Sequence, residues 1–204
     1  QNYQSQIRLM IKMQFQIGVA RRICETIGTL NMPSVSEKLG QMAAQAAMVE
    51  GLVYGMESGG GYYNGYYVPD RNLMYTAQVL TQQLYPEFIT SMREIAGGGL
   101  IMLPSSVKDF ENPEIARYIH ATQNSAVGTS EEKVKFMKLA WDAIGSEFAS
   151  RHTQYEMFYA GAQFVTRGHA LRTYDWNRSK ILVDDILHSY NLEDMLEEKN
   201  VAAE

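Results

Sequence analysis

Cysteine is almost missing. Cys24 stands alone in 204 residues, so the chain can close no internal disulfide and can build no thiolate-rich metal site. A lone thiol suits a reducing compartment, and the protein is read as cytoplasmic. Proline occurs only five times, which leaves long stretches free to run as helix. No run approaches 18 uncharged apolar residues, so no membrane-crossing helix and no membrane partner are expected. Arg8 and Lys12 interrupt the first apolar segment and do not fit a signal-peptide core. Basic clusters are absent as well: with a net charge of -5 and a pI near 5.4, nucleic acid is not an expected partner. Nor does the sequence carry G-x-S-x-G, a Walker loop or H-E-x-x-H. A di-iron bundle needs paired Glu-x-x-His motifs, and only Asp185-Ile186-Leu187-His188 comes near, so no metal site is expected and no catalytic residue is named. His120, His152, His169 and His188 stand isolated and are read as structural, His169 beside Arg167 being the one of interest.

What is present is apolar periodicity. With 46% hydrophobic residues the chain can bury one sizeable core, and residues 1–204 are read as a single helical domain. It opens at Gln1 already in helical register, as expected for the C-terminal part of a longer polypeptide. Met10, Met13, Ile17, Ala20, Cys24 and Ile27 form one stripe, and Ile7, Ile11, Phe15, Val19 and Ile23 form a second. The first helix should therefore be covered on two sides, by the bundle or by another copy. Asn31-Met32-Pro33 should stop it, and Ser34 with Glu37 reads as a capping box opening a second helix, lined by Leu39, Met42, Ala46, Val49, Val53 and Met56.

Gly59 to Asp70 reads as a loop with a tight Asn64-Gly65 turn between tyrosine pairs whose rings are expected to pack onto the bundle. A third helix follows from Arg71 to Ala96, with a kink expected at Pro86. A short helix is expected over Glu114 to Ala121, and a fourth long one capped at Thr129 or Ser130 with the stripe Val134, Met137, Trp141, Ile144 and Phe148. The fold expected is all-α, an up-and-down four-helix bundle with extra C-terminal helices and a closing acidic segment from Leu192 to Glu204.

Two glycine breaks interrupt this pattern. Gly97-Gly98-Gly99 ends the third helix and leads through an apolar run to Pro104, Ser105 and Ser106, a place where another backbone or a ligand can come close. Gly161 separates two C-terminal helices, so the amides around Ala162 to Phe164 should form a helix N-terminus that attracts anions. Both suit an extended phosphorylated ligand, although neither fits the dinucleotide fingerprint.

The succession Gln6-Ile7-Arg8 to Gly18, Pro33-Ser34-Val35, Arg93 to Ser106 and Tyr159-Ala160-Gly161-Ala162-Gln163-Phe164 resembles the C-terminal helical domain of the 4-hydroxyphenylacetate 3-hydroxylase family. These are oxygenase components of two-component, reduced-flavin-dependent phenol monooxygenases with an acyl-CoA dehydrogenase-like fold. The resemblance implies that Gly161, Ala162, Gln163 and Phe164 line FAD, that Gly97, Gly98, Gly99, Ser105 and Ser106 approach its phosphate or ribityl side from the same or a neighbouring subunit, and that Arg167 pairs with a phosphate. It implies reduced FAD from a separate NAD(P)H-flavin reductase, hydroxylation of a phenolic small molecule through a flavin C4a-hydroperoxide, and a homodimer or homotetramer built through the bundle. Substrate-binding residues would lie in the N-terminal helical and middle β domains that this chain lacks, so the segment alone should be inactive. Two other readings stay open: a 4-hydroxybutyryl-CoA dehydratase-like or acyl-CoA dehydrogenase-like domain, and a helical interaction module without cofactor.

Overall fold

The computed structural model describes residues 2–190, and the acidic segment from Leu192 to Glu204 lies outside them. The first helix, α1, spans Asn2–Ile27. It ends earlier than the Asn31-Met32-Pro33 stop: Gly28 turns the chain with φ +79°, and the amide of Thr29 donates to the carbonyl of Cys24 at 2.9 Å. The second helix, α2, spans Pro33–Ser58. Its capping box does not form. Pro33 itself takes the first helical position with its φ already set, so Met32 becomes the cap residue and no side chain caps the start.

Gly61–Tyr63 (β1) and Tyr66–Val68 (β2) pair antiparallel across Asn64 and Gly65, whose φ values of +49° and +82° give the turn that Asn-Gly favours. The tyrosines do not pack onto the bundle. Tyr62, Tyr63 and Tyr66 are exposed, and only the Tyr67 hydroxyl reaches back, donating to the Glu57 carbonyl at 2.8 Å. The third helix, α3, spans Arg71–Ala96, is capped by Asp70 on the Leu73 amide at 2.7 Å, and runs on through Pro86 without ending.

After two short 3-10 turns, Gly97–Leu100 and Val107–Phe110, come α4 (Pro113–Thr122, capped by Asn112) and α5 (Ser130–Ile144). Thr129 and Glu132 form a reciprocal capping box on α5. The fourth long helix expected through Phe148 is two helices, because α5 stops at Ile144 and α6 spans Glu147–Phe158 with Ser146 as its cap. The cause is local. A Cβ at position 145 would lie 2.4 Å from the Trp141 ring, so only glycine fits there, and Ser146 then offers a new start. Phe148 consequently points out, 64% exposed. The last described helices are α7 (Gln163–Thr173) and α8 (Trp176–His188).

Helices α1, α2 and α3 pack on one another, α5 and α6 together fill the fourth place of the bundle, and α7 lies along α3. The core joins Leu9, Met13 and Ile23 of α1 to Met42 and Val49 of α2, Tyr85, Phe88 and Met92 of α3, and Met137 and Ile144 of α5. Unbranched methionines fill the gaps between rods of different tilt. The second side of α1 is covered only toward its C-terminus: Val19 and Ile23 are buried, while Ile11 and Phe15 of the same row face outward. Helix α8 buries none of its residues, and Ile181, Leu182, Val183, Ile186 and Leu187 all remain exposed.

Phe88 is wholly buried, so Phe88→Ala should cost about 3–5 kcal/mol of stability through lost transfer energy and a residual cavity. Phe148→Ala should cost less than about 1 kcal/mol, as an exposed position does. Urea unfolding of both variants tests the break at Gly145, since an unbroken helix would make both changes costly.

Candidate functional site

The corner between α6 and α7 gathers five of the residues singled out in the sequence. Gly161 has φ +111°, a value reserved for glycine, and a Cβ there would meet nothing within 4 Å. Ala162 caps α7 with its carbonyl, which accepts from Val165 and Thr166 at 2.9 and 3.2 Å, and no side chain caps the helix. The first amides of α7, at Gln163 and Phe164, therefore lie at an uncapped N-terminus carrying the positive end of the helix dipole. Arg167 sits one turn on, its guanidinium donating to Oε1 of Gln163 at 3.1 Å, and the Phe164 ring is 78% exposed.

The underside of this corner is polar, and sequence reasoning missed it. Gln82 of α3, 2% exposed, donates through Nε2 to the carbonyls of Met157 at 2.9 Å and Gly161 at 2.7 Å. Its Oε1 lies 2.8 Å from the hydroxyl of Thr166, which is fully buried. One turn away, Gln78 and Gln6 line a cavity of about 10 Å³ together with Thr81, Glu156 and Tyr159. Glu156, almost fully buried, forms ion pairs with Arg8 at 2.8 Å and with Lys12. The Lys12 ammonium lies 2.9 Å from Nδ1 of His152, and the Arg8 guanidinium stacks 4.1 Å above the Tyr155 ring. The signal was faint but real: Gln78, Gln82 and Tyr85 recur three and four apart, on one face of α3, while Leu80 on another face is 40% exposed.

The other corner differs in charge. Gly97 caps the C-terminus of α3 with φ +54°, and its amide donates back to Arg93 and Glu94, so the corner presents the carbonyl end of a helix. Space is open beside Gly97, whereas a Cβ at Gly99 would lie 3.1 Å from the Met137 methyl, making Gly99 a packing residue. Ser105 and Ser106 are engaged locally. The hydroxyl of Ser106 accepts from the Lys108 amide at 3.2 Å, while the Asp109 carboxylate accepts from the Ser105 hydroxyl at 3.3 Å and the Ser106 amide at 3.0 Å. Gln82 and Gly97 are fifteen residues apart on α3, roughly 22 Å at 1.5 Å per residue. A single protomer thus does not bring its two glycine corners together. His169 joins neither: it stacks on Tyr75 at 4.6 Å between centroids, with its Nδ1 2.9 Å from Arg172.

Comparison with known proteins gives the family and the fold. Residues 1–188 match the family model described as HpaB, 4-hydroxyphenylacetate 3-hydroxylase C terminal. The chain is 34% identical over 167 residues to the oxygenase component of 4-hydroxyphenylacetate 3-monooxygenase from Pseudomonas aeruginosa, covering 81% of this chain and 32% of that protein. The Escherichia coli counterpart is 32% identical over 194 residues, covering 92% of this chain and 37% of its own. The chain therefore spans about a third of the length of the curated relatives it matches. Among solved structures, the oxygenase component (HpaB) of 4-hydroxyphenylacetate 3-monooxygenase complexed with FAD superposes with a TM-score of 0.86 at 27% identity, over 91% of this chain and 39% of the other. An archaeal 4-hydroxybutyryl-CoA dehydratase from N. maritimus, at 20% identity, 88% and 36% coverage and a TM-score of 0.78, shares the fold. The expected acyl-CoA dehydrogenase-like helical fold is present.

The seam between α1 and α6 makes stability depend on pH. Burial and the neighbouring Lys12 charge lower the pKa of His152 from 6.5, with Glu156 opposing and Arg8 adding to the fall. Burial likewise lowers the pKa of Lys12, outweighing Glu156. Below about pH 6.5 the unfolded chain binds a proton at His152 that the folded chain resists, so stability is full above that pH and falls as the medium is acidified. The urea midpoint should drop between pH 7 and pH 5, and His152→Gln should remove part of that drop; an unchanged slope in the variant would place the dependence elsewhere.

Proposed function

The chain belongs to the 4-hydroxyphenylacetate 3-hydroxylase C-terminal family, and from that premise we propose that it is the flavin-binding and oligomerisation domain of a phenol hydroxylase oxygenase component. The observation that carries this reading is the open, uncapped start of α7 behind Gly161, with Arg167 one turn along. Unpaired amides, a positive helix end and a guanidinium fit the diphosphate of FAD, and glycine at 161 lets that group approach the backbone. Gly161, Ala162, Gln163 and Phe164 would line the nucleotide, the Phe164 ring giving it an apolar face.

Gly97, Gly98, Gly99, Ser105 and Ser106 have another part in the proposal. A carbonyl-rich helix end repels phosphate but accepts from hydroxyl groups, so this corner suits the ribityl chain. Its distance from the Gly161 corner along α3 favours contact with the flavin of a neighbouring subunit. The uncovered Ile11 and Phe15 of α1 and the apolar residues of α8 supply surface for such a dimer or tetramer.

Reduced FAD, delivered by a separate NAD(P)H-flavin reductase in the cytoplasm, would when bound activate oxygen for transfer to a phenolic ring. What this chain's residues do is hold the nucleotide end, fix its orientation through a rigid helix start, and keep water out of one wall of the site. The residues that would grip the phenol are assigned in this reading to the part of the full-length enzyme outside this chain, which spans about a third of its relatives' length. A dehydratase-like reading finds no support in Cys24, whose lone thiol is fully buried in the core.

In the full-length oxygenase, Ala162→Asp places a carboxylate at the helix start and should weaken reduced FAD about tenfold or more, near 1.4 kcal/mol. Anaerobic titration measures this, with Gly98→Gln alongside; normal affinity in both variants would favour the interaction module. Ile11→Glu combined with Phe15→Glu should shift the assembly to smaller species by light scattering, with no shift if those residues face solvent in the assembled enzyme.

A further inference from the structure

We infer that Gln82 is the positioning residue of the Gly161 corner, a role resting on the reading of that corner as a flavin contact. Gln82 lies beneath the corner and acts through the backbone it holds. It lies on α3, 2% exposed, and its amide ties together two backbone carbonyls and one hydroxyl that the sequence keeps about 80 residues away. Nε2 donates to the last turn of α6 at Met157 and to the carbonyl of Gly161, while Oε1 faces the Thr166 hydroxyl in the first turn of α7. That hydroxyl also lies 3.0 Å from the carbonyl of Gln163, whose amide opens the helix.

The chemistry allows only an amide. Two carbonyls and one hydroxyl converge on one buried side chain, and glutamine alone offers two N–H donors and an acceptor in a plane of that length. A glutamate would set an oxygen against two carbonyl oxygens. A methionine would fill the volume and leave both carbonyls without partners. The tether acts where side-chain packing cannot: Gly161 has φ +111° and no side chain, its amide donates to the Phe158 carbonyl at 2.9 Å, and its carbonyl is held by Gln82. Helix α7 packs along α3, so fixing its first turn to Gln82 fixes the direction in which the Gln163 and Phe164 amides point.

The same core provides an internal control. Gln16 of α1, 3% exposed, donates to the Tyr85 hydroxyl at 2.9 Å, one turn further along α3, with no bond to the corner. Gln16→Met removes one buried hydrogen bond and should soften the bundle somewhat less than Gln82→Met, which removes three, as thermal unfolding will register. Only Gln82→Met should raise the dissociation constant for reduced FAD in the full-length enzyme, by about tenfold, the size expected from losing one well-placed buried hydrogen bond. The KM for the phenol at saturating FAD should stay within about twofold, since no substrate contact moves. Thr166→Ser should keep wild-type affinity and Thr166→Val should lose part of it, which preserves the test if Gln82→Met does not fold. Equal weakening in the Gln16 and Gln82 variants, or wild-type affinity in Gln82→Met, overturns the inference. Run alongside, Ala162→Asp separates the two ideas: if it weakens FAD while Gln82→Met does not, the positioning role alone fails, and if neither weakens it the flavin reading fails too.

Discussion

A buried amide side chain has to be answered by partners of the right kind, and in this bundle that demand falls on one face of α3. Gln78, Thr81, Gln82 and Tyr85 occupy positions where an ordinary bundle would place leucine. Each lost its water on folding, a cost of several kcal/mol per unpartnered group in an apolar medium. Thr81 accepts from Gln6 of α1, Tyr85 from Gln16 of α1, and Gln82 holds α6 and α7, whereas both amide atoms of Gln78 are buried without a partner among the described residues. Apolar contact would tolerate a helix sliding by a few tenths of an ångström. Directed hydrogen bonds do not, and so the polar row fixes register among helices that greasy packing would leave looser.

The two glycine corners sit at opposite kinds of helix end. One closes α3 and the other opens α7, so identical loss of side chains exposes opposite ends of helix dipoles. The Gly161 corner offers N–H groups and the Gly97 corner offers carbonyls. Anion affinity therefore belongs to the first, and hydroxyl groups suit the second. Around Glu156, charge is treated with equal economy: a carboxylate taken out of water is answered by Arg8 and Lys12 together. Burial still dominates Lys12, whose pKa falls despite the acid beside it.

Much of this was legible in the chain alone. Helix ends marked by local chemistry, such as Asp70, Thr129 with Glu132, and the glycines at 97 and 161, lie where residue type places them. The family resemblance carried by Arg93 to Ser106 and by Tyr159 to Phe164 agrees with the family model that matches the chain. Misreadings arose where two local signals competed. Ser34 lost to Pro33 because a fixed φ outweighs one hydroxyl, and α5 ends at Gly145, a weak helix former, with Ser146 capping a new start beside it. Tyrosines of the hairpin stay outside because two three-residue strands hold them away from the bundle. The polar row was invisible to apolar counting, since a glutamine at a core position looks like a surface residue until its partners, about 75 residues off, are folded against it.

Sulfur in the core has a chemical corollary. Met13, Met42, Met56, Met92 and Met137 are sealed from solvent, so a peroxide meeting the folded domain finds none of them. Thioether oxidation makes a flexible apolar group polar, and a sulfoxide cannot return to a site built for a methyl and a sulfur. A transient opening that would otherwise heal becomes one-way damage when an oxidant is near, and the durability of the bundle then depends on how seldom it opens rather than on its equilibrium stability.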